Sequence, residues 1–462
     1  MKKILALLLG VSLVLGMSAC SKTDSDEGKD VNQDNQQSGV IAELPEGPVE
    51  IELWTDMTID PTILTDAIEK FEATYASQGY TVVLNQFAGS QRSALISAAK
   101  ETNTLPALLF SAWFTTSDYA HQGMIVDISD IGETVKNDMY GSAYDSTLIS
   151  GKSYMVGLYQ SYFGFLYNAD MLKVAGLEDF VPEDPNKVTI WTLDEMEKDI
   201  LPTLASYMNG TEKYPIGFFA ADNQADTFMM NWLTMLGGNM WEGGYSSAGN
   251  DTNTIAALEK MISWTNSGLT NSNVVTKSGS EVGGEFTNQV SAISSGQFTN
   301  YVNNLKAMEK GEIETFDMRI AAIPVQKDGK DSATMANYVY GASVMNNGNE
   351  DQIAVAKEFI KWLLNDEESL TEINANAIPC YKSITEALSD EQPIYEGLTE
   401  MEPYIWDFTG GVAGYVSTRA LLFPELQAAF SGDKTATQAL TDYSTAANDV
   451  IQEYLDNSLI LK

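Results

Sequence analysis

Residues 151–176 read GKSYMVGLYQSYFGFLYNADMLKVAG, and the fold is decided by how this stretch is taken. It opens on a Gly151-Lys152 turn. The run from Tyr154 to Tyr167 is compact, apolar and rich in aromatic and β-branched residues, which predicts a strand. Asn168-Ala169-Asp170 then offers a cap to a short apolar helix of Met171, Leu172, Val174 and Ala175, which Gly176 stops. Polar Gln160 and Ser161 fall in the middle of the run, where a strand buried in one core avoids them. The reading is therefore a strand that leaves one globule and enters a second, with its polar midpoint at a cleft, the place where a two-lobed protein holds a ligand.

The flanking sequence supplies the two globules. Upstream, Val49-Glu50-Ile51-Glu52-Leu53-Trp54 alternates apolar and acidic residues like a half-buried strand. Asp60-Pro61 starts a helix with Leu64, Ala67, Ile68 and Phe71 on one face. A strand over 81–87, a helix from Gly89-Ser90 to Ala99 and a strand from Ala107 to Phe110 follow. This β-α-β-α-β order calls for a parallel sheet with right-handed crossovers and ligand at the carboxyl ends of its strands. Downstream, Thr192-x-x-Glu195 is a capping box with Trp191 and Met196 placed to staple across it. At 462 residues, 44% hydrophobic and 10% aromatic, the chain suits two domains with ample cores. Its 64 acidic against 26 basic residues, a formal charge of −38, repel phosphate backbones and anionic lipid headgroups, which excludes nucleic acid as a partner.

The order Gly151-Lys152-x-Tyr154-x-x-Gly157-Leu158, then Leu166-Tyr167-Asn168-x-Asp170-Met171-Leu172-x-x-Ala175-Gly176-Leu177, resembles the hinge-crossing segment of the family 1 extracellular solute-binding proteins, the sugar-binding subunits of ABC importers related to maltose-binding protein. The similarity runs at lower density from about residue 49 to the C-terminus. It implies an α/β, two-lobed periplasmic-binding-protein-like fold of type II, each lobe a mostly parallel sheet flanked by helices with the ligand cleft between them. It also implies a monomeric carbohydrate receptor without catalytic chemistry or cofactor, which hands its solute to ABC permease subunits. Residues 320–324 resemble the exit strand and 337–344 the return crossover. The lobes are accordingly expected over 48–160 with 335–366, and over 161–334 with 367–462.

Lys2-Lys3, an apolar core from Ile4 to Leu15 and small residues before Cys20 make a secretory signal, too short to span a bilayer. Leu15 to Cys20 resembles a bacterial lipobox, so residues 1–20 are read as a lipoprotein leader and Cys20 as the lipidated residue. That would place the protein outside the cell, tethered to the outer face of the cytoplasmic membrane. Polar, acidic residues 21–47 read as a flexible tether. With Cys20 acylated, Cys380 has no disulfide partner and is read as buried.

A sugar ring has apolar faces and hydroxyl edges, so aromatics and amide, carboxylate, hydroxyl or guanidinium groups at strand ends are the candidates to hold it. Trp54, Asp56, Ser90, Ser111, Trp113, Gln160 and Ser161 qualify by position, and Tyr340 through the return crossover. By resemblance, Phe298 stands where the family often presents tryptophan. Tyr415 and Arg419, one turn apart on a helical face, resemble the stacking aromatic and arginine of the second lobe of maltose-binding protein. Arg419 is expected to serve the ligand, so its loss should leave the fold nearly intact. The single histidine, His121, excludes a His-clustered metal site and reads as a capping or surface residue. Two alternatives stay open: a secreted glycosidase with paired cleft carboxylates, and an adhesin with a vestigial cleft.

Overall fold

The computed structural model describes residues 44–57 and 59–461; the leader, Cys20 and most of the tether read above lie outside the described residues. One eleven-stranded sheet runs through the molecule. In chain order its strands are β1 (Val49–Thr55), β2 (Tyr80–Gln86), β3 (Leu108–Ala112), β4 (Val156–Asn168), β5 (Tyr214–Gly217), β6 (Ser291–Gln297), β7 (Met318–Ala321), β8 (Ile323–Lys327), β9 (Lys330–Val344), β10 (Ile378–Pro379) and β11 (Ile405–Asp407). The hydrogen-bonded order is β2-β1-β3-β9-β4-β6-β5, with β7 and β10 on β4, and β8 and β11 on β9.

The start of the chain forms as its pattern predicts. Asp60 accepts the amide of Thr62 at 3.0 Å and Pro61 opens α1 (Pro61–Thr74), whose Leu64, Ala67, Ile68 and Phe71 are buried. Next come α2 (Arg92–Thr102) and α3 (Trp113–His121), which follow β2 and β3. β1 pairs parallel with both β2 and β3. Beyond them lie α4 (Thr252–Asn266), α5 (Phe298–Glu309), α6 (Glu350–Asn365), α7 (Glu367–Asn374), α8 (Tyr415–Ser431) and α9 (Ala436–Asn457). The capping box is in place, with Thr192 and Glu195 exchanging side-chain and amide bonds at 3.1 and 2.7 Å, and Trp191 and Met196 buried beside it.

Two long strands carry the chain between the halves of the sheet. The last part of β9 lies between β3 and the first part of β4, whereas the other ends of β4 and β9 lie beside β6, β7, β8 and β11. β9 runs antiparallel to β3, and β4 antiparallel to β6 and β7, so antiparallel pairs stand beside the parallel ones in each half. Gly341 permits the crossing, because a Cβ there would lie 2.2 Å from the carbonyl oxygen of Val156, beside an irregularity in register between Tyr340 and Gly341.

The cores follow the two faces of this sheet. A first cluster joins Leu53, Phe71, Phe110 and Phe359, and continues over one face of the second half through Phe298 and Tyr395. A second fills the opposite face around Phe165, Trp191, Phe218, Trp232 and Trp264, with Phe165 and Trp232 stacked at 5.5 Å. Tyr162, Phe163, Phe165 and Tyr167 are all buried, as a core reading requires. The chain after 367 departs from expectation. Helix α7, expected in the second lobe, packs on α1 and α6, and Leu370, Ile373, Tyr395 and Met401 join the first cluster. Cys380 is fully buried. His121 ends α3, as a capping residue would, yet its ring is buried, with Nδ1 3.0 Å from the Ser458 hydroxyl. No helix among the described residues is long and apolar enough to cross a membrane.

Candidate functional site

The two crossing strands bring together side chains that lie far apart in sequence. Successive residues of a strand face opposite sides, and β4 and β9 are in register with Tyr159 opposite Tyr340 and Ser161 opposite Tyr338. On that shared face Tyr159 stacks on Tyr340 at 4.8 Å, Tyr340 meets Tyr338 at 4.9 Å, and Tyr338 meets Phe163 at 5.6 Å and Phe408 at 5.8 Å. Tyr340 packs against both core clusters, which marks it as a meeting point of the two cores. Burial pushes its phenol up to about 12, so it stays a neutral donor across the physiological range.

Phe114, at the start of α3, completes this group. Its ring lies 5.0 Å from Tyr338 and between two guanidinium groups, Arg419 at 4.9 Å and Arg92 at 5.7 Å. The chain has three arginines, and two of them converge on this one ring. Each is held by an aspartate. Arg92 pairs with Asp56 at the end of β1 and donates to the Ser111 hydroxyl at 3.3 Å. Arg419 sits 2.8 Å through Nε and 3.0 Å through Nη2 from the Asp226 carboxylate, which also accepts the Tyr415 hydroxyl at 3.0 Å. Burial pushes the Asp226 carboxyl up, and Arg419 pulls it back.

A narrow crevice opens beside Phe114, walled by Trp113, Tyr338 and Phe408 and edged by Asn337 and Asp407. Asp407 accepts from the Thr409 amide at 2.9 Å and hydroxyl at 2.7 Å, while burial raises its pKa. Several buried polar atoms around this region have no hydrogen-bond partner among the described residues: Asp56 Oδ1, Arg92 Nε, Thr115 Oγ1 and Ser161 Oγ. Such atoms cost free energy unless something arrives to bond them. The arrangement presents flat aromatic faces, acceptors and donors with little net charge, suited to a neutral hydroxylated molecule.

The expected residues fare unevenly. Asp56, Ser111, Trp113, Ser161, Tyr340 and Arg419 all belong to this region. Gln160 does not: alternation turns it to the other face, where its amide donates to the Tyr162 hydroxyl at 3.1 Å and to the Pro379 carbonyl at 3.4 Å. Phe298 begins α5 with its ring turned into the first cluster, 5.6 Å from Tyr395. Tyr415 is fully buried against Phe114, Trp241 and Phe408, so it braces the site instead of offering a free face. Trp54 is half-buried, with Nε1 bonded to Glu52 at 2.7 Å and its ring against Phe87, outside the Phe114 group. Ser90 remains exposed in the turn before α2. Sequence reasoning passed over Arg92, Phe114, Tyr338 and Asp407. The scarcity of arginine, three in the whole chain, is the signal that could have found Arg92.

The family model for bacterial extracellular solute-binding proteins matches residues 54–369. The chain belongs to that family. Solved structures agree on the fold of this solute-binding protein. A MalE sugar-binding protein from Xanthomonas citri superposes with a TM-score of 0.70 at 13% identity, covering 88% of this chain and 98% of that one. The cyclic alpha-maltosyl-1,6-maltose binding protein of Arthrobacter globiformis gives 0.68 at 17% identity over 88% and 100% of the two chains. Maltose-bound MalE3 of T. maritima gives 0.67 at 14% identity over 86% and 98%. No curated protein sequence matches the solute-binding protein. The two-lobed α/β fold is thus that of the sugar-binding members, and no three or more His, Cys, Asp or Glu side chains among its described residues gather as a metal site.

Proposed function

We propose that this solute-binding protein is a carbohydrate receptor: its two lobes close on a mono- or oligosaccharide, and the closed form delivers the sugar to the permease of an ABC importer. The observation that carries the reading is the Phe114 group, where rings and Arg-Asp pairs from both halves of the sheet meet beside partnerless buried polar atoms. A sugar bonding both halves favours the closed state by its differential affinity. Micromolar binding corresponds to about −8 kcal/mol, within reach of stacked rings and a few hydrogen bonds after ordering costs. On this reading the carboxylates bind and do not cleave, since Asp56 and Asp226 are each committed to an arginine.

The similarity of three sugar-binding structures supports the solute class. The leader read at residues 1–20 supports a protein held to the outer face of the membrane through lipidated Cys20; metabolic labelling with a radioactive fatty acid, lost in Cys20→Ser, tests it. The solute is tested by a thermal-shift panel of mono- and oligosaccharides on the folded chain. A cognate sugar raises the midpoint with concentration, because it binds only the folded state. A panel with no shift at millimolar sugar rejects carbohydrate as the cargo.

A further inference from the structure

Helix α3 meets different partners on two adjacent faces. Phe114 and Asp118, one turn apart, look toward α8: the Phe114 ring lies 6.2 Å from Tyr415, and Asp118 accepts the Gly414 amide at 2.8 Å. Thr115 and Tyr119 form the next pair round the helix. Both are buried, at 1% and 7% exposure, and neither hydroxyl has a hydrogen-bond partner among the described residues. A buried tyrosine or threonine hydroxyl ordinarily finds one, and leaving the bond unmade costs stability.

The polar neighbours of the Tyr119 hydroxyl are themselves incompletely bonded. Burial raises the phenol's pKa, while Arg92 and the Ser93 hydroxyl draw it down and Asp56 and Asp118 push it up; Ser93 stands near without completing a hydrogen bond. Arg92 spends Nη1 on Asp56 Oδ2 and on the Ser111 hydroxyl at 3.3 Å. Arg92 Nε and Asp56 Oδ1 stay unpaired, although both are shielded from solvent. The guanidinium nitrogen is a donor only, and the carboxylate oxygen of an ion pair is an acceptor only.

We propose that Arg92 Nε, Asp56 Oδ1 and the Tyr119 hydroxyl form a subsite for one hydroxyl group of the sugar, an inference that rests on the carbohydrate reading. A hydroxyl accepts from a guanidinium N–H and donates to a carboxylate oxygen through one atom, and the phenol supplies a third bond. An ether or ester oxygen has nothing to give Asp56, and a carboxylate sets a second negative charge against it. The subsite therefore selects a sugar with a free hydroxyl at one ring position and rejects its deoxy, methylated and acidic forms, because each leaves buried polar atoms unpaired. Tyr119 binds through its hydroxyl while its ring packs in the first cluster. Thr115, one turn nearer the start of α3, presents the next hydroxyl along the same face.

The test compares the full chain with Tyr119→Phe, which removes the hydroxyl and keeps the ring. Glucose, galactose, tagatose, maltose and maltotriose are the probes, read by thermal shift and titration calorimetry. The expected midpoint without sugar is no lower in the variant, since the hydroxyl bonds nothing in the sugar-free fold, and the affinity for the binding sugar falls about tenfold or more. Among monodeoxy derivatives of that sugar, one should bind the parent as weakly as the full sugar binds the variant, and lose nothing further in the variant. A lowered midpoint without sugar places the hydroxyl in a bond of the fold and overturns the subsite. So does an unchanged affinity in Tyr119→Phe, which leaves a trapped water as the occupant of these atoms. A parent chain that none of the probes stabilises overturns the carbohydrate reading together with the subsite, so the parent alone tells the two failures apart.

Discussion

Replacing Arg419 by alanine should cost more stability than the loss of a ligand contact would suggest. The Asp226 carboxylate is fully buried, and its compensation comes from Arg419 Nε and Nη2 at 2.8 and 3.0 Å with the Tyr415 hydroxyl at 3.0 Å. Removing one partner of a buried pair strands the other charge, at a cost of about 3–5 kcal/mol. The cost should depend on pH. Burial already raises the Asp226 carboxyl and Arg419 is the largest influence lowering it, so without the arginine the folded-state pKa climbs further above the unfolded value. The penalty is then fully present above that raised pKa and relieved as pH falls through it. Urea unfolding of Arg419→Ala should therefore show a larger loss at pH 8 than at pH 5, and the double change Arg419→Met with Asp226→Leu should recover most of it. An unfolding midpoint within about 0.5 kcal/mol of the parent at both pH values would refute this reasoning and return Arg419 to the role of an uncommitted ligand arginine.

Phe298→Ala should lower stability by about 3–5 kcal/mol, as a large-to-small change in a packed core does; a chemical-denaturation curve unchanged from the parent would put the ring back in the cleft. Gly341→Ala forces a Cβ against the Val156 carbonyl between the crossing strands, so a loss of at least about 1–3 kcal/mol is expected, and an unaltered thermal midpoint would contradict the close approach. Arg92→Met strands Asp56, whose side chain is only 3% exposed, and should destabilise by about 3–5 kcal/mol; denaturant melts of the single variant and of Arg92→Met with Asp56→Leu separate that pairing cost from any effect on sugar binding.

The fold was legible where local rules and tertiary packing agree. Asp60-Pro61, the Thr192-Glu195 box and the Asn168 cap sit where their side-chain chemistry puts them, since each satisfies amides within a few residues. The crossing strand was legible too, but its polar midpoint misled: Gln160 and Ser161 are adjacent, so one must turn from the site, and only the pairing partner fixes which. Phe298 was misplaced for a related reason, because the first residue of a helix points where the tertiary packing of α5 sends it. Phe114 gave no signal at all. An apolar ring after Trp113 reads as core until two arginines from 22 residues upstream and 305 downstream are seen to converge on it.

The place of β9 in the sheet bears on how the molecule is made. It lies between β3 and β4, yet β4 ends at Asn168 and the part of β9 that joins them starts only at Tyr340. A chain emerging from the ribosome at about 5–20 residues per second would hold two unpaired strand edges for roughly 10–30 s before the bridging strand arrives. Open edges of that kind invite pairing with foreign chains. Biogenesis of this protein should therefore depend on a holding chaperone or on delayed folding, and a nascent chain cut short before Tyr340 should aggregate where the full-length one does not.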